Sequence, residues 1–411
     1  MRAIRIGICV LVVFAVLAFG TVEIWSTAIL EIGAATLFLC WALLLFFRSE
    51  IEIRWNKTFW PLLAFIGIAG LQLVDGRTAY PFLTRVALLK LVACVLLFFL
   101  TVQAFRTRQE YKSFAWFLMS FGFAVAVLGL AQNYTSHYLL YWFRPLTEGG
   151  NPFGPYVDRN HFAGFMELIV PVGMSLIAFR GVRREQMAFV GILTLVPIAA
   201  LILTASRGGI VSFAVEVGLL GVLMGARRVR FQAVAVASVL LAAVAVLGWL
   251  GAGRALDRIE ASNVGEISTG RRMSMLRGAW RVFLDHRLSG MGLGTLVAVY
   301  PKYETLYDGK IVDHAHDDYA ELLAETGVAG GLCGLVFLIV LFRESARRLA
   351  EEQSAFSQAF HAAGTVACVG LLIHSLVDFN MHIPSNGLLF LLQTTVVISP
   401  VFHPRKRALV T

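Results

Sequence analysis

Residues 187–225 read MAFVGILTLVPIAALILTASRGGIVSFAVEVGLLGVLMG, two long apolar runs separated by a short polar turn. Each run is close to the length of about 20 residues that a helix needs to cross a hydrocarbon layer about 30 Å thick. The turn at 204–209 leaves very little chain between the runs. This stretch therefore predicts two membrane-spanning helices joined by a very tight turn.

The rest of the chain has the same apolar character. Hydrophobic residues make up 58% of it and charged residues 15%, whereas soluble globular chains have about 45–50% and about 25%. A soluble core could not hide this much apolar surface from water, so we expect lipid to cover it. The first run follows Arg2 and Arg5 and imitates a secretory signal, but a second run begins near Thr27. We therefore interpret the first run as an uncleaved membrane helix.

Twelve apolar runs are candidates for membrane spans. They cover residues 6–24, 27–47, 58–74, 82–105, 112–131, 161–180, 187–205, 208–225, 231–250, 322–342, 357–377 and 386–402. The sequence therefore predicts an all-α, polytopic membrane bundle of about twelve helices. With no internal repeat and no second soluble region, we expect a single domain over residues 1–411.

Basic residues test the number of spans, because Lys and Arg are enriched in cytoplasmic loops. If the N-terminus is cytoplasmic, every segment predicted to lie inside holds two or three basic residues, whereas the short outside turns near Glu23 and Asn380 hold none. One helix more or fewer would destroy this alternation. We therefore predict that both termini are cytoplasmic. The formal net charge of +9 lies mostly in these clusters, which argues against a nucleic-acid partner.

Two segments predicted to lie outside are much longer than the other turns. They run from about 132 to 160 and from about 251 to 321. Long connections of this kind are usually functional. The second is expected to contain a helix between Arg272 and Arg287, where apolar residues recur at helical spacing. We expect any chemistry to reside in this extracytoplasmic loop and its neighbours.

Arginines lie on the side where the orientation rule disfavours them. Arg207 sits in the turn Ser206-Arg207-Gly208-Gly209, at the start of the next helix, and Arg271 and Arg272 begin the predicted loop helix. A guanidinium near a helix N-terminus suits an anionic group such as a phosphate. Two arginines converging on one diphosphate would make charge-assisted, bidentate contacts. The alternatives are an interfacial anchor for Arg207 and a solvated basic face for the loop helix.

Histidines and carboxylates alternate in Asp313-His314-Ala315-His316-Asp317-Asp318, directly before the span at 322–342. One alternative is a metal site, but His314 and His316 point apart if the segment is helical, and no third nitrogen or sulfur ligand is near in sequence. A second is a general base that takes a proton from a hydroxyl group. A third is a plain helix cap made by Asp313 or Asp317. We favour the base and predict no metal and no other cofactor.

Two further groups of polar residues lie at the same predicted side. Arg159 and His161 close the first long outside segment, and Asp378 follows the span at 357–377. Each group could line the same pocket, or could belong to an interfacial polar belt.

Three ionisable residues lie within apolar spans, where such residues are costly and usually paired. They are Lys90, Glu167 and Glu216. Their similar predicted depth favours a structural ion pair between Lys90 and one of the glutamates.

These segments together resemble the O-antigen ligase and O-antigen polymerase superfamily of bacterial membrane glycosyltransferases. The resemblance is strongest from about Tyr156 to Pro384. It is carried by Asp158-Arg159-Asn160-His161-Phe162-Ala163-Gly164, Ser206-Arg207-Gly208-Gly209, Gly270-Arg271-Arg272, Gly290-Met291-Gly292-Leu293-Gly294 and His316-Asp317-Asp318-Tyr319 through Glu325-Thr326-Gly327. The chain departs from the family pattern at Arg287, where proline is common, and at Asp317, where asparagine is common.

The resemblance implies a multi-pass enzyme of the bacterial inner membrane. It implies transfer of a glycan from an undecaprenyl diphosphate carrier to a hydroxyl acceptor, without metal or nucleotide sugar. The family's two arginines fall on Arg207 and Arg272, its histidine on His316, and an acidic residue after a late helix on Asp378. The acceptor could be lipid A core, a growing polysaccharide or a protein, so ligase, polymerase and protein O-oligosaccharyltransferase stay open.

Two other protein classes share parts of this pattern. A lipid-linked glycan flippase or other transporter would have the same topology, but repeated halves and broken helices near the midplane are expected of it. A glycosyltransferase of the shape-and-division kind also has a bundle with a large outer loop, but it matches the segment around His316 less well.

Overall fold

A computed structural model of the 411-residue chain describes residues 1–47, 52–136, 139–146, 151–225, 269–307, 309–352 and 354–399. Within these ranges the chain forms thirteen α-helices. They are α1 Arg2–Leu17, α2 Ile24–Phe47, α3 Phe59–Val74, α4 Pro81–Ala104, α5 Arg108–Thr135, α6 Arg159–Ala178, α7 Met187–Leu203, α8 Arg207–Gly225, α9 Thr269–Asp285, α10 Leu296–Val299, α11 Asp318–Glu351, α12 Ala355–His374 and α13 Pro384–Ile398.

The helices confirm the predicted all-α membrane bundle. Eight of those in the described ranges are long and apolar enough to cross a membrane. Eleven of the twelve predicted runs coincide with α1–α8 and α11–α13. The twelfth run, 231–250, lies outside the described residues, as does the first part of the outside segment, 251–268.

Turns that the sequence assigns to the outside meet at one end of the bundle. Ala79 N donates to Met291 O (2.7 Å), Asp318 N donates to Ser375 O (3.0 Å) and Tyr141 Oη donates to Leu17 O (2.5 Å). We call this the loop end, which holds residues 18–23, 75–80, 136–158, 204–206, 269–317 and 375–383 in so far as they are described.

Basic clusters of the described residues lie at the opposite end of the bundle, which we call the basic end. Arg54 N donates to Gln103 Oε1 (2.9 Å), and Arg5 lies against Glu110 (2.5 Å). The clusters near residues 226–230 and 405–407 lie outside the described residues, so the full alternation stays a prediction.

Helix α6 lies at the centre of the bundle. All of its residues from His161 to Ala178 are buried, and α5, α7, α8, α12 and α13 pack around it. Asn386 Nδ2 of α13 donates to the His161 carbonyl (2.9 Å). The helix that carries His161 is therefore held on every side.

The buried charges do not pair as the sequence suggested. Glu167 Oε1 lies 2.9 Å from His374 Nδ1, while Glu216 lies against Gly370 of α12, where a Cβ would come within 1.9 Å of its Oε1. The predicted pair between Lys90 and either glutamate is wrong. Lys90 belongs to α4, which packs against α1, α2, α3 and α13, and its electrostatic partners include Glu31 and Glu325.

The glycine-rich segment 290–294 interlocks with α11. Gly290 has φ +66°, and a Cβ there would lie 2.2 Å from the Glu325 carbonyl carbon. Glu325 Oε2 accepts from Gly294 N (2.7 Å), and its Oε1 accepts from Leu296 N (3.0 Å). Two of the motifs that carry the resemblance therefore hold the outside segment against the bundle.

Candidate active site

Three histidines surround the ring of Phe379 at the loop end. His314 stacks on it with centroids 4.2 Å apart, and His161 and His316 present edges at 4.6 and 4.9 Å. Together with Asp378 these residues form what we call the Phe379 cluster. It joins α6, the outside segment before α11, and the turn after α12.

The cap of α11 determines where His316 lies. Asp317 Oδ1 accepts hydrogen bonds from Tyr319 N (3.0 Å) and Ala320 N (2.8 Å), so Asp317 caps the helix, as one of the alternatives for this segment had it. An aspartate supplies the same acceptor oxygen as the asparagine common in the family. Directly before the cap, His316 has φ +52°. Few non-glycine residues adopt this conformation, and it often marks a functional site.

Asp378 is the hydrogen-bond partner of His316. Its Oδ1 lies 3.2 Å from His316 Nδ1, accepts from Phe379 N (2.9 Å), and lies 3.8 Å from His161 Nε2. Burial raises the pKa of Asp378, but the hydrogen bond from His316 and the nearby imidazoles of His161 and His374 outweigh burial and hold this pKa below its usual range. The ionised carboxylate favours the tautomer with the proton on Nδ1, which leaves His316 Nε2 as an acceptor.

A second histidine–carboxylate group adjoins the Phe379 cluster. Glu321 Oε1 lies 2.7 Å from His314 Nδ1 and 3.4 Å from His382 Nε2, and Asp318 Oδ1 lies 2.6 Å from His382 Nδ1. Burial lowers the pKa of His382, but Glu321 and Asp318 outweigh it and raise the pKa to about 10. Burial likewise lowers the pKa of His314, and Glu321 reverses the direction and raises it.

The ligand atoms of His314, Glu321 and His382 lie within 4.8 Å of one another, close enough for a divalent ion. Hydrogen bonds among the same atoms, and from Ala315 N to Glu321 Oε2 (2.9 Å), satisfy them equally well. The absence of a metal stays a prediction.

Arg207 is the first residue of α8, and its side chain is exposed. The first turn of α8 packs closely against the site: a Cβ at Gly208 would lie 2.7 Å from His374 Cδ2, and one at Gly209 would lie 2.8 Å from the Ala163 Cβ. His374 is four residues before Asp378. The two glycines thus bring the start of α8 against the helices that carry His161 and Asp378.

Arg271 and Arg272 differ in their surroundings on α9. Arg271 is buried, and its guanidinium donates to Lys310 O (3.2 Å). Arg272 is half-buried, so its side chain is more accessible than that of Arg271. Arg272 is therefore the better candidate for an anionic ligand, and Arg271 has a structural contact.

Apart from Arg207 at the start of α8, the sequence-predicted residues fall into two groups. His161, His314, His316 and Asp378 meet in the Phe379 cluster, and Arg159 begins α6 two residues before His161. Arg271 and Arg272 lie on α9, which packs against α11.

Sequence reasoning missed two residues of the site. They are Phe379, around which the histidines pack, and Glu321, which binds His314. The spacing of Asp318 and Glu321, one helical turn apart after His316, was the available signal.

Residues 192–335 match the family model described as O-antigen ligase. This match supports membership of the O-antigen ligase and polymerase superfamily. It covers about a third of the chain and includes Arg207, Arg271, Arg272, His314 and His316. No curated protein matches the chain. The apolar helices indicate a multi-pass membrane protein, and the match over residues 192–335 supports its similarity to this superfamily.

Proposed function

We propose that this chain is a glycosyltransferase that moves a glycan from an undecaprenyl diphosphate carrier to a hydroxyl acceptor at the outer face of the bacterial inner membrane. The observation that carries the proposal is the pairing of His316 with Asp378 beside the start of α8, where Arg207 lies. The O-antigen ligase match supports a lipid-linked glycan donor and a membrane acceptor. We propose that residues 1–411 act as one domain.

We assign to His316 the removal of the proton from the acceptor hydroxyl group. Asp378 holds the imidazole with Nδ1 protonated, so Nε2 can take the proton of the attacking hydroxyl group. The acceptor oxygen forms a bond to the anomeric carbon as the bond from that carbon to the diphosphate oxygen breaks. The electron pair leaves with the diphosphate, and the proton stays on His316 until it passes to the diphosphate or to water. Direct displacement inverts the anomeric centre.

We assign to Arg207 and Arg272 the binding of the diphosphate. Negative charge grows on the leaving group as its bond to the sugar breaks, and guanidinium groups stabilise such charge. Arg207 stands at the N-terminus of α8, where backbone N–H groups also favour an anion. Because these groups supply the positive charge, we propose that transfer needs no metal and no other cofactor.

The loop end faces outward in this proposal, and both termini are cytoplasmic. The polyprenyl tail cannot leave the bilayer, so the donor enters sideways between helices. The acceptor can be lipid A core, a growing polysaccharide or a protein hydroxyl. The superfamily match supports a polymerase as well as a ligase, and the chemistry at His316 is the same in either case.

His316→Ala tests the catalytic assignment. Glycan transfer by the purified full-length protein should be abolished, because His316 is the base that we assign to the hydroxyl proton. Binding of the lipid-linked donor should be retained, because we assign donor affinity to the arginines and to the polyprenyl tail in the bilayer. His314→Ala is the matched control: its ring lies on the same Phe379, but it binds Glu321 instead of Asp378, and its effect on transfer should be much milder.

Full-rate transfer by His316→Ala would overturn this assignment. Loss of transfer on treatment with EDTA, restored by a divalent ion, would instead place a metal at His314, Glu321 and His382. If the unmodified protein binds the donor but transfers its glycan to no defined acceptor, the result would favour a lipid-linked glycan transporter.

A further inference from the structure

Helix α9 buries one face and leaves the opposite one uncovered by the described residues. Met275, Ala279 and Val282 pack into a hydrophobic cluster with residues of the outside segment and of α11. This packing fixes the rotation of the helix about its axis, so the residues that face away are defined.

The uncovered face combines apolar and basic side chains. Met273, Trp280 and Leu284 are 44%, 47% and 39% exposed, and Arg277 and Arg281 are also exposed. These five positions follow one another at helical spacing and share one face, which we call the outer face of α9. Tryptophan and leucine interleaved with arginine are typical of helices that lie in a membrane interface.

The C-terminal end of α9 is tied to the beginning of a lipid-facing surface. Arg287 O accepts from Val328 N (2.7 Å) and Leu288 O accepts from Ala329 N (3.2 Å), where α11 continues after a kink at Gly327. Leu288 is 80% exposed, and Val328 beside it is 41% exposed. The apolar side of α11 and the end of α9 therefore meet at the same depth.

A contact with helix α3 also places the end of α9 at the level of exposed apolar side chains. Gln72 Nε2 donates to Ser289 O (2.5 Å). Gln72 is close to the end of α3, where Leu71 is 60% and Val74 is 84% exposed. The apolar helices α3 and α11 thus present exposed apolar side chains at the level where α9 ends, so α9 lies at the edge of the apolar surface of the bundle.

The positive charge of this face indicates which kind of lipid headgroup it can bind. Arg277 and Arg281 on this face and Arg287 just after α9 are exposed, whereas Asp285, the acid nearest to them in sequence, accepts a hydrogen bond from Tyr303 Oη (2.7 Å). Guanidinium groups bind phosphate oxygens in bidentate fashion. We propose that the outer face of α9 binds the phosphate headgroups of anionic phospholipids in the leaflet at the loop end.

In this arrangement Trp280, Leu284 and Leu288 insert below the headgroups. The contact fixes the depth of α9 and of Arg272 at its start. It does not depend on the reaction proposed for the site.

The test places a fluorescent probe on α9 in the lipid bilayer. The full-length chain without its native cysteines carries Leu284→Cys with an environment-sensitive dye, in nanodiscs of phosphatidylcholine with or without phosphatidylglycerol. Lipids with a nitroxide near the headgroup should quench the dye, and phosphatidylglycerol should increase the quenching. In the combined variant Arg277→Gln, Arg281→Gln and Arg287→Gln, the increase should fall to less than about a third, because each arginine contributes to headgroup attraction.

A probe at Leu39 is the control, because this residue lies in the middle of α2 and is 60% exposed. Its quenching by nitroxides in the acyl chains should depend neither on phosphatidylglycerol nor on the arginines. Equal quenching at Leu284 with and without phosphatidylglycerol would overturn the proposal. So would a dye shielded from both lipid and aqueous quenchers, which would mean that another part of the chain covers the face. A response that requires an added phosphorylated glycolipid would assign the face to an acceptor instead.

Discussion

His316 holds a left-handed backbone conformation because both of its neighbours are fixed. Asp317 must accept two N–H groups at the start of α11, and the buried Ala315 donates its N–H to Glu321. Conformations of this kind cost about 1–3 kcal/mol and persist where the surroundings determine them. This backbone conformation directs the imidazole towards Asp378 and away from solvent.

Arg207 and Arg272 give a prediction at the residue scale. Arg207→Ala and Arg272→Ala should each lower glycan transfer by about a hundredfold or more, the effect of removing one charge-stabilising donor. Lysine should restore little activity, because it cannot form the planar fork. Initial rates with a lipid-linked donor measure this effect. The control is Arg77→Ala, an exposed arginine near the loop end that lies 3.7 Å from Asp75. Near-normal rates in both alanine variants would leave the two arginines as interfacial anchors.

His382 gives a pH-dependent prediction. Asp318 and Glu321 raise its pKa to about 10 against the cost of burial, whereas an imidazole in an unfolded chain has a pKa of about 6.5. Because the folded state binds the proton more tightly, the stabilisation is complete below about pH 6.5 and is lost as the pH rises through about 10.

The measurement compares thermal unfolding of the unmodified protein and His382→Gln in detergent from about pH 6 upward. The unmodified protein should melt higher at neutral pH, and the difference should shrink towards zero above about pH 10. His286→Gln, at an exposed position, should change little at any pH. A difference for His382→Gln that stays constant over this range would show that His382 carries no charge in the folded protein.

At the scale of elements, the join between α11 and the segment 290–294 decides whether the outside segment is held to the bundle. The backbone of Gly290 touches that of Glu325, and Gly327 has φ +63° with its own Cβ position 2.4 Å from Leu288 O. Backbone cannot move aside as a flexible side chain can. The join therefore places the Glu325 carboxylate where it accepts two N–H groups of the loop.

Gly290→Ala should destabilise the protein by about 3 kcal/mol or more. The new Cβ would clash with the backbone of Glu325, and alanine would be strained in the left-handed conformation of this position. Gly218→Ala in α8 is the control, since a Cβ there meets nothing within 4 Å. This control should be neutral or slightly stabilising, by about 1 kcal/mol at most, because alanine favours helix. Thermal unfolding of both variants measures the effect. Equal melting temperatures would show that the join does not hold the fold.

The same elements show what the sequence can predict. Hydropathy identified the spans, because each must supply about 20 apolar residues whatever its neighbours are. It could not identify which helices are neighbours, and the pairing of Lys90 with Glu167 or Glu216 failed for that reason. Glu321 and His382 are separated by most of α11 and all of α12. No local sequence pattern indicates that folding brings His382 Nε2 within 3.4 Å of Glu321 Oε1.

At the scale of the whole molecule, the two ends of the bundle differ in what they contain. The basic end holds basic clusters between short connections, and the loop end holds the Phe379 cluster, Arg207 and α9. Basic loops stay in the cytoplasm during insertion. The distribution of the basic clusters in the sequence therefore predicts the orientation of the bundle.

The orientation can be tested with single cysteines in a chain whose native cysteines are replaced. Tyr307 at the loop end is 76% exposed, and the Glu351 side chain at the far end of α11 is 52% exposed. A membrane-impermeant maleimide added to intact spheroplasts should label Tyr307→Cys. It should label Glu351→Cys only after the membrane is permeabilised, because α11 crosses the bilayer between the two positions. Labelling of Glu351→Cys in intact spheroplasts, with Tyr307→Cys protected, would reverse the orientation. The site would then face the cytoplasm, where a base such as His316 could not reach an acceptor on the outer leaflet.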